Sequence, residues 1–350
     1  MDYQMSLPNK GLLDLPFDQY SRQEKVRRIV DESIRHLSHT KKRKLKILDL
    51  GGHKGYTSSF FPEDDVHILD VFDEKYDNYH KGDATDTDFA ENEFDVVVSF
   101  DTFEHIPKIL RDKFVLEAFR ISKYAFIIAA PFDGPLKEVS RVETEANKLY
   151  KKITGKEHPW LAEHNEYGLP EKNELERMLK KMNLHYTSLP TNDLSLWLVS
   201  QGLMFNSSTL GHDNKEVVNA SHYYNKNLSF MDNPSDDFSY RTIYVGTTNK
   251  QIIDSINSNA QQKTNNKSNM ATDSVTTYIS AINNGYASLI KELRDDRIYL
   301  QAREKHLQEM YYKSETARKH LEEENIRIKN TLLKKSARKV SNIIEKVRKK

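Results

Sequence analysis

The stretch that decides the fold is residues 44–55, KLKILDLGGHKG. Its first seven residues are a short, mostly apolar run that ends on Asp49 and Leu50, which is the pattern of a buried strand. Gly51 and Gly52 follow directly, and glycines at a strand end allow positive φ angles and close approach of the backbone to a ligand. We therefore expect a strand, a tight turn shaped around a ligand, and then a helix.

Apolar runs of the same kind recur along the first 250 residues, and longer amphipathic stretches separate them. The runs are residues 66–71 (VHILDV), 94–100 (FDVVVSF), 124–130 (YAFIIAA) and 240–247 (YRTIYVGT). Helices are predicted over residues 20–38, 107–122 and 171–182. This alternation predicts the α/β class, with a Rossmann-like, doubly wound and mostly parallel sheet that a late antiparallel strand closes.

Carboxylates recur where the predicted strands end. Asp70 ends the second run, and a carboxylate at that point can accept both hydroxyl groups of a ribose. Asp83, in the tripeptide GDA, stands where a third strand should end and can accept a hydrogen bond from an adenine amino group. The run at 94–100 leads into residues 101–107 (DTFEHIP), a polar turn before the next helix. Together these positions predict a nucleoside site.

In their order and spacing, these motifs resemble the class I S-adenosylmethionine-dependent methyltransferases, and within them the methyltransferase type 11 group. The resemblance rests on the glycine loop, the acidic end of the second strand, the GDA loop, the DTFEHIP turn and residues 129–134 (AAPFDG). It implies S-adenosylmethionine as the cofactor. It also implies a set of cofactor-binding residues, namely Asp49, Gly51, Gly52, His53, Gly55, Asp70, Val71, Asp83, Ala84, Asp101 and Thr102.

His53 departs from the family pattern, which has glycine at this position. Its side chain would either crowd the cofactor or donate a hydrogen bond to the methionine carboxylate. In the first case the alternative function is a catalytically degraded methyltransferase fold, a scaffold that acts through its C-terminal coiled coil.

The candidate catalytic residues follow from the chemistry of the acceptor. Methyl transfer depends mainly on alignment, because a sulfonium is already a strong electrophile. A sugar hydroxyl is a weak nucleophile at neutral pH, and it gains from a base with a pKa near 7, for which histidine is suited. We predict catalytic roles for His105, Glu104 and His164. The alternative for His105 and Glu104 is a packing or capping role at a helix start.

A second polar cluster, residues 158–170 (HPWLAEHNEYGLP), follows the fifth strand. Aromatic side chains there can stack on a sugar, and its polar side chains can bind hydroxyl groups. The candidate substrate residues are His158, Trp160, Glu163 and Tyr167. The alternative is a helical turn packed on the domain with surface histidines. No repeated histidine spacing on one helix face supports a metal site, so none is predicted.

Helix breakers divide the chain, because all 10 prolines lie at or before Pro234 and the last of the 12 glycines is Gly285. We predict a methyltransferase domain over residues 1–250, with an N-terminal helix and a substrate-lid insertion at about 135–235. A flexible, Asn/Gln-rich linker follows at 251–277. Residues 278–350 are predicted to form a helical coiled-coil arm. The segment 15–22 (LPFDQYSR) resembles an entry segment beside the active-site mouth of glycan-assembly methyltransferases.

The predicted arm repeats one position every seven residues, namely Tyr286, Leu293, Leu300, Leu307, Ser314, Leu321 and Ile328. The partner position four residues later is mixed, so the arm is either a modest coiled coil of two or three chains or a single charged helix. Its last part, residues 331–350, is a basic amphipathic helix with a charge of +7. Such a helix fits a membrane surface, a docking partner or a plain coiled-coil end.

The whole chain carries 53 Lys+Arg and 52 Asp+Glu and has no cysteine. A net charge of +1 argues against a whole-chain nucleic-acid binder, and the missing cysteines exclude disulfides, thiolate metal sites and cysteine nucleophiles. No run of about 18 apolar residues and no secretory signal are evident, so we expect a cytoplasmic protein, peripheral at the inner membrane face.

These features favour an S-adenosylmethionine-dependent methyltransferase that O-methylates a cell-surface polysaccharide or a lipid-linked saccharide. The layout resembles bacterial O-antigen chain-terminating methyltransferases, which also carry a coiled coil and a basic tail but possess a kinase domain that this chain has no room for. The expected partners are a glycan or small-molecule acceptor, a second copy through 286–332 and a membrane or membrane-bound partner through 331–350, without nucleic acid. A methyltransferase for a small molecule or a protein remains open.

Overall fold

Seven strands form a single sheet among the residues that the computed structural model describes, which are 11–37, 43–53, 56–75, 77–209, 215–227, 234–264 and 271–348. In chain order the strands are β1 (Lys46–Leu50), β2 (Asp65–Asp70), β3 (Tyr79–Lys81), β4 (Phe94–Phe100), β5 (Ser122–Pro131), β6 (His185–Asp193) and β7 (Ser239–Thr247). Their order in the sheet is β3-β2-β1-β4-β5-β7-β6. Strands β1 to β5 pair in parallel, and β7 pairs antiparallel with both β5 and β6.

The α-helices follow the predicted alternation with the strands. In chain order they are α1 (Phe17–Ile29), α2 (Arg35–Leu37), α3 (Thr57–Phe60), α4 (Arg111–Ile121), α5 (Glu138–Thr154), α6 (Pro159–Tyr167), α7 (Lys172–Lys181), α8 (Leu194–Thr209), α9 (Lys215–Asn227), α10 (Lys250–Thr264) and α11 (Ala271–Arg348). A π-helical turn, Val30–Ile34, joins α1 to α2. The predicted fold class is confirmed, including the late antiparallel strand and the long C-terminal helix.

The sheet is buried on both faces, as expected for strands that consist of apolar runs. Successive residues of β1 alternate between the two sides, because Ile47 belongs to one core and Leu48 to the other. Helices α1 and α10 pack on the first side, and α4 and α7 pack on the second. Since strand order reverses between β1 and β4, the carboxyl ends of these strands open a crevice at that point.

The substrate lid at about 135–235 stays a prediction, but the middle part of this segment belongs to the main fold. Helix α7 packs into the main core through Leu175 and Leu179, and β6 pairs along its length with β7. The segments added to the sheet are therefore α5 with α6 and α8 with α9. Helices α5, α6 and α8 share a small core of their own, which includes Tyr150, Leu161 and Trp197.

The predicted linker at 251–277 differs from the structure wherever its residues are described, because its first part lies in α10 and residues 271–277 lie in α11. Residues Lys250–Thr264 form α10, and Ile252, Ile253 and Ile256 are buried in the core beside α1. Three isoleucines at this spacing lie on one side of a helix, which gives the segment an apolar face despite its Asn/Gln-rich composition. Residues 265–270 lie outside the described residues.

The described chain divides into two compact units, residues 1–285 and residues 286–350. The second unit consists of the later part of α11, and the continuity of that helix agrees with the lack of proline and glycine after Gly285. Among the described helices, none combines the length and the apolar character needed to cross a membrane.

Candidate functional site

The turn after β1 is shaped by Gly51, which adopts a φ of +79° and donates its N–H to Leu69 O at 2.7 Å. A Cβ atom at this position would lie 2.2 Å from the Thr102 side chain, so a larger residue does not fit. Thr102 in turn donates its hydroxyl to Gly51 O at 3.2 Å. The turn after β1 and the turn after β4 are therefore held together through Gly51 and Thr102.

Asp70 ends β2 and lies against the same turn. Its Oδ2 accepts the His53 N–H at 2.9 Å, and its Oδ1 accepts the Phe72 N–H at 3.3 Å. His53 has a φ of 40°, a left-handed conformation, and its ring lies against that of Phe72 with 4.9 Å between centroids. The side chains of Val71 and Phe72 are 63% and 59% exposed, so apolar surface is available beside the carboxylate.

Asp49 lies beneath the turn and is fully buried. Its Oδ2 accepts the Thr57 hydroxyl at 2.5 Å, and among the described residues no donor reaches its Oδ1. Burial raises the pKa of Asp49 to about 7, and the Thr57 hydrogen bond and the Arg22 charge offset this effect only in part. The carboxylate thus supports the turn and keeps one unused acceptor.

The remaining predicted cofactor residues are placed unequally. Asp83 is exposed, and its Oδ1 accepts the backbone N–H and the hydroxyl of Thr85 at 2.8 and 2.9 Å. It therefore organises its own turn, while the neighbouring Ala84 is buried. Gly52 would place a Cβ atom 2.6 Å from the Asp49 carboxylate, so this position also requires glycine. Gly55 lies outside the described residues.

Asp101 follows β4 with a φ of 47° and is held by two arginines. Arg241 of β7 donates from Nε to Oδ1 and from Nη2 to Oδ2, both at 2.5 Å, and Arg22 of α1 also donates to Oδ2. Arg22 comes from the LPFDQYSR segment, which the structure brings to the predicted cofactor turn. Arg241 was missed by the sequence analysis, although a lone charge within an apolar strand was a signal for it.

Arg22 and Arg241 are largely buried, and further hydrogen bonds hold Arg241 in place. Arg241 donates from Nη1 to the Asn192 side-chain oxygen at 2.8 Å, and the Asn192 amide donates to the Ser21 hydroxyl at 2.7 Å. Burial and the charge of Arg241 lower the pKa of Arg22 to about 10. The positive charges neutralise Asp101 beside the crevice, so its carboxylate is fixed rather than free to act as a base.

The rings of His105 and His164, both predicted catalytic residues, contact each other beside the turn after β4. Their Nε2 atoms are 3.3 Å apart. His105 Nδ1 lies 3.0 Å from Glu163 Oε2, and His164 Nδ1 lies 3.0 Å from Glu143 Oε1. Tyr240 donates its hydroxyl to Glu143 at 2.8 Å. The structure thus joins one residue from the turn after β4 with residues of α5 and α6.

Burial and the neighbouring His164 lower the pKa of His105. Burial alone would also lower the pKa of His164, but the hydrogen bond and charge of Glu143 raise it overall. Glu104 is 1% exposed, and among the described residues no donor reaches its Oε2. Burial raises the pKa of Glu104 as well. Ligand atoms of Glu104, His105 and His164 all lie within 4.8 Å of one another.

The predicted substrate residues do not form one group. Glu163 joins the histidine cluster, and the Trp160 side chain is 60% exposed on the same helix. His158 begins α6 and packs against the rings of Tyr150 and Phe205, and burial together with the charge of His164 lowers its pKa to about 4. These contacts favour the packing alternative for His158. Tyr167 ends α6 and is half-buried.

Residues 65–125, from β2 into β5, match the family model described as a methyltransferase domain, Methyltransf_11. A search of curated proteins finds no match to this chain. Among solved structures, the YcgJ protein of Bacillus subtilis is similar at 15% identity over 61% of this chain and 97% of that one, with a TM-score of 0.36.

Two further solved structures are similar at the same level. A SAM-dependent methyltransferase of Archaeoglobus fulgidus has 13% identity over 66% of this chain and 97% of its own, with a TM-score of 0.36. A phosphoethanolamine N-methyltransferase of Haemonchus contortus has 18% identity over 69% and 61%, with a TM-score of 0.35.

The turn after β1 fits S-adenosylmethionine on the geometry of its own residues. At Gly51 and Gly52 the Thr102 side chain and the Asp49 carboxylate fill the space of a Cβ atom, so the turn keeps a bare backbone, and Asp70 places a carboxylate beside exposed apolar side chains. The family match and the strand order confirm the prediction of a methyltransferase enzyme with a Rossmann-like sheet. S-adenosylmethionine is the cofactor that this site fits.

Proposed function

We propose that this methyltransferase methylates a hydroxyl group of a cell-surface polysaccharide or a lipid-linked saccharide at the cytoplasmic face of the membrane. The observation that carries the proposal is the pair of His105 and Glu163, joined at 3.0 Å directly beside the turn after β4. A histidine oriented by a carboxylate is suited to accept a hydroxyl proton.

Different cofactor residues would bind different parts of the cofactor. Asp70 would accept the ribose hydroxyls, and the backbone of the glycine turn would lie under the methionine moiety. When bound, S-adenosylmethionine supplies a methyl group on an electrophilic sulfonium. The chain has to place an acceptor oxygen in line with that group and exclude water, and alignment of this kind accounts for much of the rate.

His105 would take the acceptor proton at Nε2. Its lowered pKa keeps the ring neutral near pH 7, so that it can accept a proton, and Glu163 holds the Nδ1–H and the ring orientation. The side chains of His105 and Glu163 are 26% and 39% exposed, which leaves them within reach of a polar acceptor. Arg22 and Arg241 hold Asp101 apart from this proton transfer.

Two features support a saccharide as the acceptor. Trp160 exposes 60% of its surface on α6, the helix that also carries Glu163, and an exposed indole ring is suited to stack on the apolar face of a sugar. The same helix presents the Glu163 carboxylate, whose side chain is 39% exposed and can bind hydroxyls.

Two features of the C-terminal unit support the proposal that the acceptor is held at a membrane surface. Its heptad residues Leu300, Leu307, Leu321 and Ile328 are each more than half exposed, which is the condition for pairing with a second copy. The sequence of 331–350 carries a charge of +7 on an amphipathic helix, which favours attraction to anionic lipid.

The test begins with calorimetric titration of S-adenosylhomocysteine into the full chain. Micromolar binding supports the methyltransferase, whereas no binding would favour the scaffold alternative. Methyl transfer from labelled S-adenosylmethionine is then measured with a polysaccharide, a lipid-linked saccharide fraction and total protein as acceptors. Label that enters the saccharide fractions and resists mild alkali indicates a methyl ether and supports the proposal. Label confined to protein or to small molecules would contradict it.

A further inference from the structure

The two imidazole rings of the histidine cluster face each other in an unusual way. Their Nε2 atoms are 3.3 Å apart, and each ring directs its Nδ1 to a different carboxylate. A carboxylate accepts hydrogen bonds, so each Nδ1 carries a proton, and in the neutral form of each ring the Nε2 atom carries a lone pair. Two lone pairs at this distance repel each other unless a proton or another cation lies between them.

Glu104 provides a second and independent observation. Its side chain is 1% exposed, and among the described residues its Oε2 has no hydrogen-bond partner. A buried carboxylate oxygen without a partner is costly, and it calls for a ligand. The carboxylate contributes the third ligand atom of a set, with His105 and His164, whose members all lie within 4.8 Å of one another.

We propose that Glu104, His105 and His164 form a binding site for a divalent transition-metal ion. With Zn–N bonds of about 2.0–2.1 Å, two nitrogens on a tetrahedral ion lie about 3.4 Å apart, which matches the observed 3.3 Å. Glu104 adds one carboxylate to the two imidazoles, and a tetrahedral ion would keep a fourth position for an acceptor oxygen. Two imidazoles favour Zn²⁺, Co²⁺ or Ni²⁺ over Mg²⁺ and Ca²⁺, which prefer oxygen ligands.

The surroundings match this assignment. Glu163 and Glu143 hold the Nδ1–H groups of the two histidines, which is the carboxylate–histidine–metal arrangement that orients ligands in metalloproteins. Tyr240 in turn fixes Glu143.

Metal binding itself does not depend on the methyl-transfer reaction, but the role of the ion rests on the proposed function. A bound ion would lower the pKa of a coordinated acceptor hydroxyl and fix its oxygen in the crevice. In that state His105 acts as a ligand, and the hydroxyl proton passes to solvent or to Glu163.

The test uses the full chain without cofactor or acceptor, freed of metal by a chelator and titrated with Zn²⁺ alone. We expect one Zn²⁺ per chain by elemental analysis after gel filtration, and visible absorption bands of a low-coordinate site when Co²⁺ replaces it. His105→Gln should weaken Zn²⁺ binding by about 100-fold or more, and Glu163→Gln by about 10- to 100-fold through loss of ring orientation.

A matched control lies elsewhere in the sheet. His67 Nδ1 and His80 Nε2 are 2.9 Å apart, but among the described residues no third ligand joins this pair as Glu104 joins His105 and His164. His80→Gln should therefore leave Zn²⁺ binding unchanged. Failure of the wild type to take up Zn²⁺, or equal binding by His105→Gln, would overturn the metal site. Because no acceptor is present, that result is distinct from a failure of saccharide methylation.

Discussion

The two halves of the site are built in different ways. In the cofactor half, Asp49, Gly51 and Asp70 stand within a residue of a strand end, and backbone N–H groups close to them satisfy the Asp70 carboxylate. In the acceptor half, the contacts join distant segments, such as His105 with Glu163, 58 residues apart, and Glu143 with Tyr240, 97 residues apart. The sheet and its turns form the cofactor half. The acceptor half forms only when α5 and α6 pack on the sheet.

The difference has a consequence for mutagenesis. Changes in the cofactor half should alter ligand binding, because this half forms the turn and the strand end where the cofactor is expected. Changes in the acceptor half should alter rate or stability, because its polar groups are buried against one another. Each prediction below tests whether the two halves separate in this way.

The largest effect is expected for His105→Gln. We expect kcat to fall about 100- to 10,000-fold, because the variant loses the imidazole that accepts the proton or, with a metal ion bound, serves as its ligand. Affinity for S-adenosylhomocysteine should stay within about twofold of the wild type, since the side chain lies outside the cofactor turn. Steady-state kinetics and calorimetry measure the two quantities.

The control for that variant is His185→Gln, which changes an exposed histidine at the start of β6. It should match the wild type in both measurements. A large loss of cofactor affinity in His105→Gln would show that the two halves are not separate. A full retention of kcat would remove His105 from the reaction.

Arg241→Met is expected to destabilise the fold by about 3–5 kcal/mol, because Asp101 would keep a single partner in a largely buried position. Arg241 is 2% exposed and bridges β7 to the turn after β4, so it belongs structurally to both halves. Urea denaturation measures the free energy of unfolding. Lys148→Met, which breaks an exposed pair with Glu145, is the matched control and should leave the midpoint unchanged.

The sheet and the cofactor half could be predicted because short runs of sequence encode them. The KLKILDLGGHKG stretch contains the strand, the carboxylate and the glycines that a close turn requires. Strand β6 was missed because His185–Asp193, HYTSLPTND, has few apolar residues and contains Pro190, as an edge strand can. No periodicity marks such a strand, and its pairing with β7 decides its structure.

The acceptor half could be predicted only residue by residue. His105, Glu163 and His164 were each identified as candidates, but spacing along one helix could not show that a metal-type cluster would combine two segments. Glu143 and Tyr240 were missed because nothing local distinguishes them from other residues of a helix and a strand. The α10 helix was missed for a related reason, since its isoleucines matter only when α1 packs beside them.

Asp70→Ala should weaken binding of S-adenosylhomocysteine by about 100-fold or more, because it removes the carboxylate that would accept the ribose hydroxyls and also releases the His53 N–H. Asp83→Ala should weaken binding by less than about tenfold, because its carboxylate is exposed and already bonded to Thr85. Calorimetry on both variants ranks the two carboxylates. An equal loss of affinity in both variants would mean that the exposed Asp83 contributes to cofactor binding as much as the buried Asp70.

The smallest expected effect concerns Asp49, the buried carboxyl beneath the turn after β1. Burial raises the pKa of Asp49 to about 7, above its usual value near 3.9. For a carboxyl with a raised pKa, the stabilising contribution is complete below about pH 4 and is lost as the pH rises toward 7. Asp49→Asn cannot ionise, and its side-chain oxygen can still accept the Thr57 hydroxyl, so it should not share this loss.

In protein free of cofactor, Asp49→Asn should therefore gain stability relative to the wild type by about 2 kcal/mol between pH 5 and pH 8, as measured by urea denaturation at each pH. The groups that face Asp49 are the Thr57 hydroxyl, the Arg22 guanidinium and the Asp70 carboxylate, and the substitution leaves all three in place. Asp88→Asn, at an exposed position, should follow the wild-type pH profile. Parallel profiles for Asp49→Asn and the wild type would mean that Arg22 keeps Asp49 ionised. The cofactor half would then depend on a buried ion pair.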